Sequence, residues 1–297
     1  MAVRDERLIW ARDGVDWPNR DLSRFIETRG LTWHVQQAGH GPLLLLLHGT
    51  GASTHSFRDL IPALARDYSI LAVDLPGHGF TDLPPFYRLS LDGMARALDE
   101  LLRTLAAKPA GVVGHSAGAA IGARLALDRA IRADLLISLN GALLPFRGAP
   151  NFLFPAIAKA LFLNPLTPRI AARRASPKAV ARLIRDTGSH LDERGLDLYC
   201  RLMRTPAHIA GALGMMANWK LQGLARELPR LETPIVFVAC DGDRAVPPAD
   251  GATLAGRVPH GRYLEIPSLG HLGHEENPPR FIELIRSEMR HAGGRTA

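Results

Sequence analysis

Gly114-His115-Ser116-Ala117-Gly118 fits the pattern Gly-x-Ser-x-Gly, in which a serine on a sharp turn between a strand and a helix is presented as a nucleophile. The demand for glycine is steric. The turn is strained, so the positions two before and two after the serine must lack side chains, and Gly114 and Gly118 meet that demand. A serine is a weak nucleophile until a base, itself oriented by an acid, takes its proton. Asp241-Gly242-Asp243-Arg244-Ala245-Val246-Pro247 follows one apolar run near the C-terminus, and Ser268-Leu269-Gly270-His271 follows the next. The chain order Ser, Asp, His assigns Ser116 as nucleophile, Asp243 as acid and His271 as base. Asp241 is the second candidate for the acid, although Asp-Gly is a turn signal in its own right. The other place where an acid could stand, the end of the run 135–139, carries Asn140. His48-Gly49-Thr50-Gly51 lies on the loop after an early strand. Backbone N–H groups there can hold an oxyanion, so Thr50 and Ala117 are assigned as its donors, with Gly51 as an alternative.

The elements that must position these residues alternate. Residues 31–38, 43–47, 68–73, 111–114, 135–139, 235–239 and 262–266 read as strands; 53–66, 90–105, 116–129 and 280–291 read as helices, the second with Ser90 as N-cap. Strands and helices in this alternation imply an α/β fold around a parallel, doubly wound sheet. Between about residues 146 and 229 only helical patterns occur, broken by Pro155, Pro165, Pro168, Pro177 and Pro206. The expected organisation is an N-terminal segment 1–30, a core in two parts (31–145 and 230–292), a helical cap 146–229 and a tail 293–297.

The chain has 297 residues with 46% hydrophobic and 22% charged, too apolar for disorder and long enough for a sizeable core. Two cysteines, Cys200 and Cys240, make no disulfide framework and no Cys-x-x-Cys pair, which points to a reducing compartment. No signal peptide and no run long enough to span a membrane are legible, so the expectation is a cytoplasmic protein, at most peripheral at the inner membrane. The net charge of +7 is unevenly placed. Residues 147–230 hold 14 Lys and Arg against 5 Asp and Glu, a balance of +9, whereas the remainder holds 22 against 24, a balance of −2. The basicity therefore belongs to the cap, where Arg169, Arg173, Arg174, Lys178, Arg182 and Arg185 recur. That field suits an anionic substrate, an anionic membrane or an acidic partner, and with no recognition motif present it does not indicate nucleic acid.

Phe152, Phe154 and Phe162 form an apolar stretch beside the basic one, and with Met215, Met216 and Trp219 they are candidates for lining a substrate pocket. His78, His115, His190 and His208 have no place in the triad and read as packing or surface residues. No cluster has metal-ligand spacing, so neither a protein-bound metal nor a cofactor is expected.

A strand, a His-Gly loop, the Gly-x-Ser-x-Gly elbow, a helical cap and then Asp and His on later loops resemble a capped α/β-hydrolase across residues 31–291. Five strings resemble, more narrowly, the magnesium-chelatase accessory α/β-hydrolases of bacteriochlorophyll biosynthesis. They are Trp17-Pro18-Asn19-Arg20, the run from His48 to Ser56, the run from Asp74 to Thr81, Ser138-Leu139-Asn140-Gly141-Ala142-Leu143 and the cap string from Gly211 to Trp219. The resemblance implies a photosynthetic bacterium, a tetrapyrrole substrate and an association with magnesium chelatase. Cys240 departs from it, since such enzymes often carry Gly before the acidic turn. Two functions follow: a serine hydrolase acting on an ester-like, anionic tetrapyrrole, or a non-catalytic accessory that binds or delivers a tetrapyrrole at magnesium chelatase. Haloalkane dehalogenase and epoxide hydrolase chemistry is disfavoured, because the elbow carries Ser116 where those enzymes use Asp.

Overall fold

Five consecutive leucines, Leu43–Leu47, form a strand in the interior of the sheet with both faces covered. In the computed structural model, which describes residues 3–145, 161, 164 and 166–294, Leu45 and Leu47 enter one apolar cluster while Leu44 and Leu46 enter another. Alternation of side chains across a strand buried on both faces leaves no position for a polar residue.

The sheet has eight strands: β1 Ser23–Thr28, β2 Leu31–Ala38, β3 Leu43–Leu47, β4 Ser69–Val73, β5 Gly111–His115, β6 Leu135–Leu139, β7 Ile235–Cys240 and β8 Gly261–Ile266. Their order is β1-β2-β4-β3-β5-β6-β7-β8. β1 and β2 run antiparallel to each other, β2 is antiparallel to β4, and all later neighbours are parallel. The helices that matter for the site are α1 Leu91–Thr104, α2 Ala117–Leu127, α3 Thr167–Arg174, α4 Pro177–Asp186, α5 Glu193–Met203, α6 Pro206–Asn218, α7 Pro248–Ala255 and α8 Pro278–Gly293. α1 and α2 cover one face through Met94, Leu98, Leu101, Ala120 and Ile121. α8 covers the other with Phe281, Ile285 and Met289. α3 to α6 lie in the chain between β6 and β7, so the described part of the insertion is helical.

Several elements differ from expectation, among them short helices at Trp10–Asp13 and Gly273–Glu276. β1 is an added strand, paired to β2 through a turn at Gly30, whose φ of 79° suits glycine. The helix expected over 53–66 is a 3₁₀ turn, Thr54–Phe57, followed by a short helix, Leu60–Leu64; the Thr54 N–H donates to buried Asp74 Oδ1 at 2.7 Å instead of entering a helix. α7 is a further helix between β7 and β8.

The N-terminal segment fastens the insertion to the core. Trp17, buried with Leu8 and Phe80, packs against Leu198 and Leu202 of α5. Asp16 accepts from Arg194 at 3.0 Å and from Arg201 at 2.6 Å, and Glu6 accepts from Arg169 at 2.7 Å. The Arg201 hydrogen bond, with Arg194 beside it, holds the Asp16 carboxyl well below the usual carboxylate range.

Candidate active site

Ser116 sits between β5 and α2 at φ 50° and ψ −117°, a conformation that a non-glycine residue adopts only when its surroundings enforce it. Those surroundings are two glycines. A methyl group on Gly114 would meet the Ala119 backbone at 2.5 Å, and one on Gly118 would lie 2.1 Å from the Leu47 carbonyl oxygen. The His-Gly loop lies directly against the elbow, since a methyl on Gly49 would come within 2.9 Å of Ser116 Cβ. Thr50 follows Gly49 and Ala117 follows Ser116 in the chain, and neither N–H donates to another described residue. The Thr50 hydroxyl donates to Met215 Sδ at 3.3 Å.

Asp243 and His271 meet at the ends of β7 and β8. Asp243 Oδ2 accepts from His271 Nδ1 at 2.8 Å and from Asn140 Nδ2 at 2.7 Å. Its Oδ1 accepts the backbone N–H groups of Ala245 at 2.7 Å and Val246 at 2.9 Å. Four donors thus hold a buried carboxylate in one orientation. Asp241, the second candidate, is exposed and accepts from the Ser268 N–H at 2.7 Å, the role of a turn former. Ser116 Oγ makes no hydrogen bond with another described residue. Such contacts in unliganded sites often form only with substrate present.

Several residues that sequence reasoning left without a role complete the site. Asn140 stands where an alternative acid could stand and instead donates to Asp243. His115, next to Ser116, donates from Nε2 to the His271 carbonyl at 2.9 Å, with the two rings 4.7 Å apart. Burial, with His274 and His271 nearby, pushes the His115 pKa well down and keeps the ring neutral. Thr187, just after α4, accepts through its carbonyl from Arg244 N at 3.1 Å and from His271 N at 3.4 Å, and Ser189 Oγ accepts from Leu272 N at 2.8 Å. The insertion thereby ties the acid loop to the base loop. Gly188 is required there, because a side chain would lie 2.0 Å from the Gly242 carbonyl oxygen.

His208 of α6 clasps two core loops, accepting from Gly79 N at 3.0 Å and donating to the Gly51 carbonyl at 3.1 Å. Burial lowers its pKa to about 4, so it is a neutral structural histidine. Beside it, α6 meets the core backbone to backbone: a methyl on Gly211 would lie 1.9 Å from the Gly77 carbonyl oxygen. Asp74 accepts from His34 at 2.8 Å, Phe80 N at 2.9 Å and Thr54 N at 2.7 Å. Burial alone would push its pKa up, but His34 overrides that and holds it well below the usual range. Glu275, four residues beyond His271, accepts from Ser56 and from Tyr199 of α5 at 2.7 Å each, and pairs with Arg58.

Of the expected pocket residues, Met215 is fully buried in the core cluster while Trp219 packs on its margin and Met216 is half-buried. Phe152, Phe154 and Phe162 lie outside the described residues. His190 is exposed. Among the described residues no three His, Cys, Asp or Glu side chains are grouped so as to hold a metal ion, and no described helix is long and apolar enough to cross a membrane.

Sheet order, elbow and the Asp–His pair at the strand ends define a class, and residues 42–278 match the model for the α/β hydrolase fold, so the chain belongs to that family. More narrowly, it is similar to the magnesium-chelatase 30 kDa subunit of Rhodobacter capsulatus, with 40% identity over 263 residues, 88% of this chain and 92% of that protein. It is also 32% identical to the pimeloyl-[acyl-carrier protein] methyl ester esterase of Xanthomonas campestris pv. campestris, over 82% of this chain and 94% of that one. Among solved structures, an α/β hydrolase fold protein from Burkholderia ambifaria superposes with a TM-score of 0.75 at 24% identity, covering 89% of this chain and 97% of the other.

Proposed function

We propose that the chain is a serine hydrolase that cleaves a carboxyl ester of an anionic tetrapyrrole and works beside magnesium chelatase in the cytoplasm of a bacteriochlorophyll-making bacterium. The observation that carries the catalytic part is Asp243, a buried carboxylate held by four donors, one of them His271 Nδ1 at 2.8 Å. With Nδ1 donating, His271 Nε2 is free to accept the Ser116 proton. Ser116 Oγ attacks the ester carbonyl, the N–H groups of Thr50 and Ala117 receive the negative charge on oxygen, and His271 returns the proton to the leaving alcohol. Water then repeats the sequence on the acyl-enzyme and releases the acid.

Similarity to a magnesium-chelatase subunit supports the tetrapyrrole and the association with the chelatase, and similarity to a methyl ester esterase supports the ester. The second reading, a non-catalytic accessory that holds a tetrapyrrole, is favoured by one observation, a Ser116 hydroxyl without a hydrogen bond to another described residue. Fluorophosphonate treatment separates the two. Labelling of Ser116, lost in Ser116→Ala and strongly slowed in His271→Ala, is the expected result. An unlabelled protein that still gives a Soret shift with magnesium protoporphyrin would leave only the accessory reading.

A further inference from the structure

The outer face of α3 and α4 has an unusual composition. On α3, Pro168 and Ala172 point inward, and Leu166 and Ile170 lie one helical turn apart on the opposite side, 55% and 47% exposed. Arg173 and Arg174, both exposed, flank that pair. On α4, Val180 and Ile184 are buried while Leu183 is 52% exposed among exposed Lys178, Arg182 and Arg185. Four of the eight large hydrophobic side chains exposed in the described chain, Leu161, Leu166, Ile170 and Leu183, fall in this one short stretch. Asp186 is the one carboxylate between residues 161 and 190, and it lies 3.9 Å from Arg182.

We propose that the outward sides of these two consecutive helices dock on an anionic lipid surface, with Leu166, Ile170 and Leu183 entering the headgroup boundary and Arg173, Arg174, Lys178, Arg182 and Arg185 meeting lipid phosphates. Charge complementarity singles out the occupant. Cations set beside exposed aliphatic side chains can meet lipid phosphates and the acyl boundary together. A protein-binding face draws its apolar contact area from Tyr, Trp, Phe and Met, whereas the exposed apolar side chains here are all Leu or Ile. The docked face is opposite to the surface that packs on the core. It is also continuous with Thr187, whose carbonyl holds the His271 and Arg244 N–H groups.

The test uses the full chain and sedimentation with vesicles of phosphatidylcholine containing phosphatidylglycerol, against phosphatidylcholine alone. Binding to the first and not the second, weakened by salt, is expected. Arg173→Gln with Arg174→Gln lowers partitioning roughly 25-fold, about fivefold per cation. Leu166→Ser with Ile170→Ser also weakens binding but leaves its salt dependence in place. Ser116→Ala leaves binding unchanged, so the catalytic reading and this one fail separately. Melting temperatures matching the wild type show that the variants are folded. Equal binding to both vesicles, no binding to either, or an arginine pair whose removal changes nothing would overturn the proposal. So would light scattering that shows a dimer abolished by Ile170→Ser, since the face would then belong to a second copy.

Discussion

Replacing Asp243 by Asn tests the acid assignment against its nearest rival. Every atom facing the Asp243 carboxylate is a donor: His271 Nδ1 and Asn140 Nδ2 at Oδ2, and the Ala245 and Val246 N–H groups at Oδ1. An amide has one oxygen. If that oxygen faces the two backbone N–H groups, the NH₂ faces His271 Nδ1, which must then be the bare nitrogen, and Asn140, whose amide must flip to present Oδ1. The ring proton moves to Nε2, and His271 can no longer accept a proton from Ser116. The opposite orientation sets the NH₂ against two backbone donors, leaving buried groups unsatisfied at about 1–3 kcal/mol each. The first arrangement costs less, so the substitution selects the inactive tautomer, a change worth on the order of 10⁴ in rate, or about 5.5 kcal/mol of activation free energy. The assay is the rate of Ser116 modification by a fluorophosphonate, followed by intact mass, which requires no knowledge of the natural substrate. Asp241→Asn should change that rate by less than about threefold, because Asp241 is exposed and serves only the Ser268 turn. An Asp243→Asn protein that reacts within tenfold of wild type, or an Asp241→Asn protein that is the slower of the two, would refute the reasoning.

Gly118→Ala should fail to fold or lose more than about 3 kcal/mol, because its methyl would lie 2.1 Å from a backbone oxygen. Gly223→Ala, with nothing within 4 Å, should raise stability by roughly 0.5–1 kcal/mol in thermal melts. Stability should also fall below neutral pH. The His208 pKa is lowered by burial from 6.5 to about 4, so its contribution is fully present above 6.5 and is lost as pH falls through 4, amounting to about 3 kcal/mol. Urea titrations across that window should show a shallower pH slope for His208→Gln, and an unchanged slope would contradict the assignment of His208 as a neutral clasp. Trp17→Ala, which empties a buried site against α5, should cost roughly 3–5 kcal/mol. Limited proteolysis should then cut the helical insertion before the core unfolds; simultaneous loss of both would show that the N-terminal segment is not what fastens it.

The strained turn at Ser116 and the Asp243–His271 contact were legible because each is fixed by local pattern: glycine spacing around Ser116, and short polar strings at the ends of apolar runs for Asp243 and His271. Asn140 could not be read in the same way. Its contact with Asp243 spans 103 positions in sequence and exists because β6 and β7 pair in parallel with Leu139 opposite Val238, which sets the two strand ends side by side. β1 was missed because its burial does not alternate, Arg24 and Phe25 both being exposed, and only Ile26 packs against the core, so no periodicity marks it. Residues 53–66 carry helical spacing, yet buried Asp74 takes the Thr54 N–H, and a tertiary hydrogen bond outweighs a weak local propensity.

The insertion divides along the same line. Its charge was countable from sequence, but its attachment was not, since α6 is buried nearly all round and shows no apolar face that would separate Met215 in the core from half-buried Met216. What α6 needed was smallness at Gly211 and a neutral imidazole at His208, both legible only against the loops they meet. Thr187 carries the same lesson into the site. The turn after a basic helix reads as an ordinary helix end, yet its carbonyl receives the backbone N–H of His271 and of the residue after Asp243. The orientation of His271 therefore depends on how the insertion seats, which links the basic outer side of α4 to the Asp243–His271 pair through a single turn of chain.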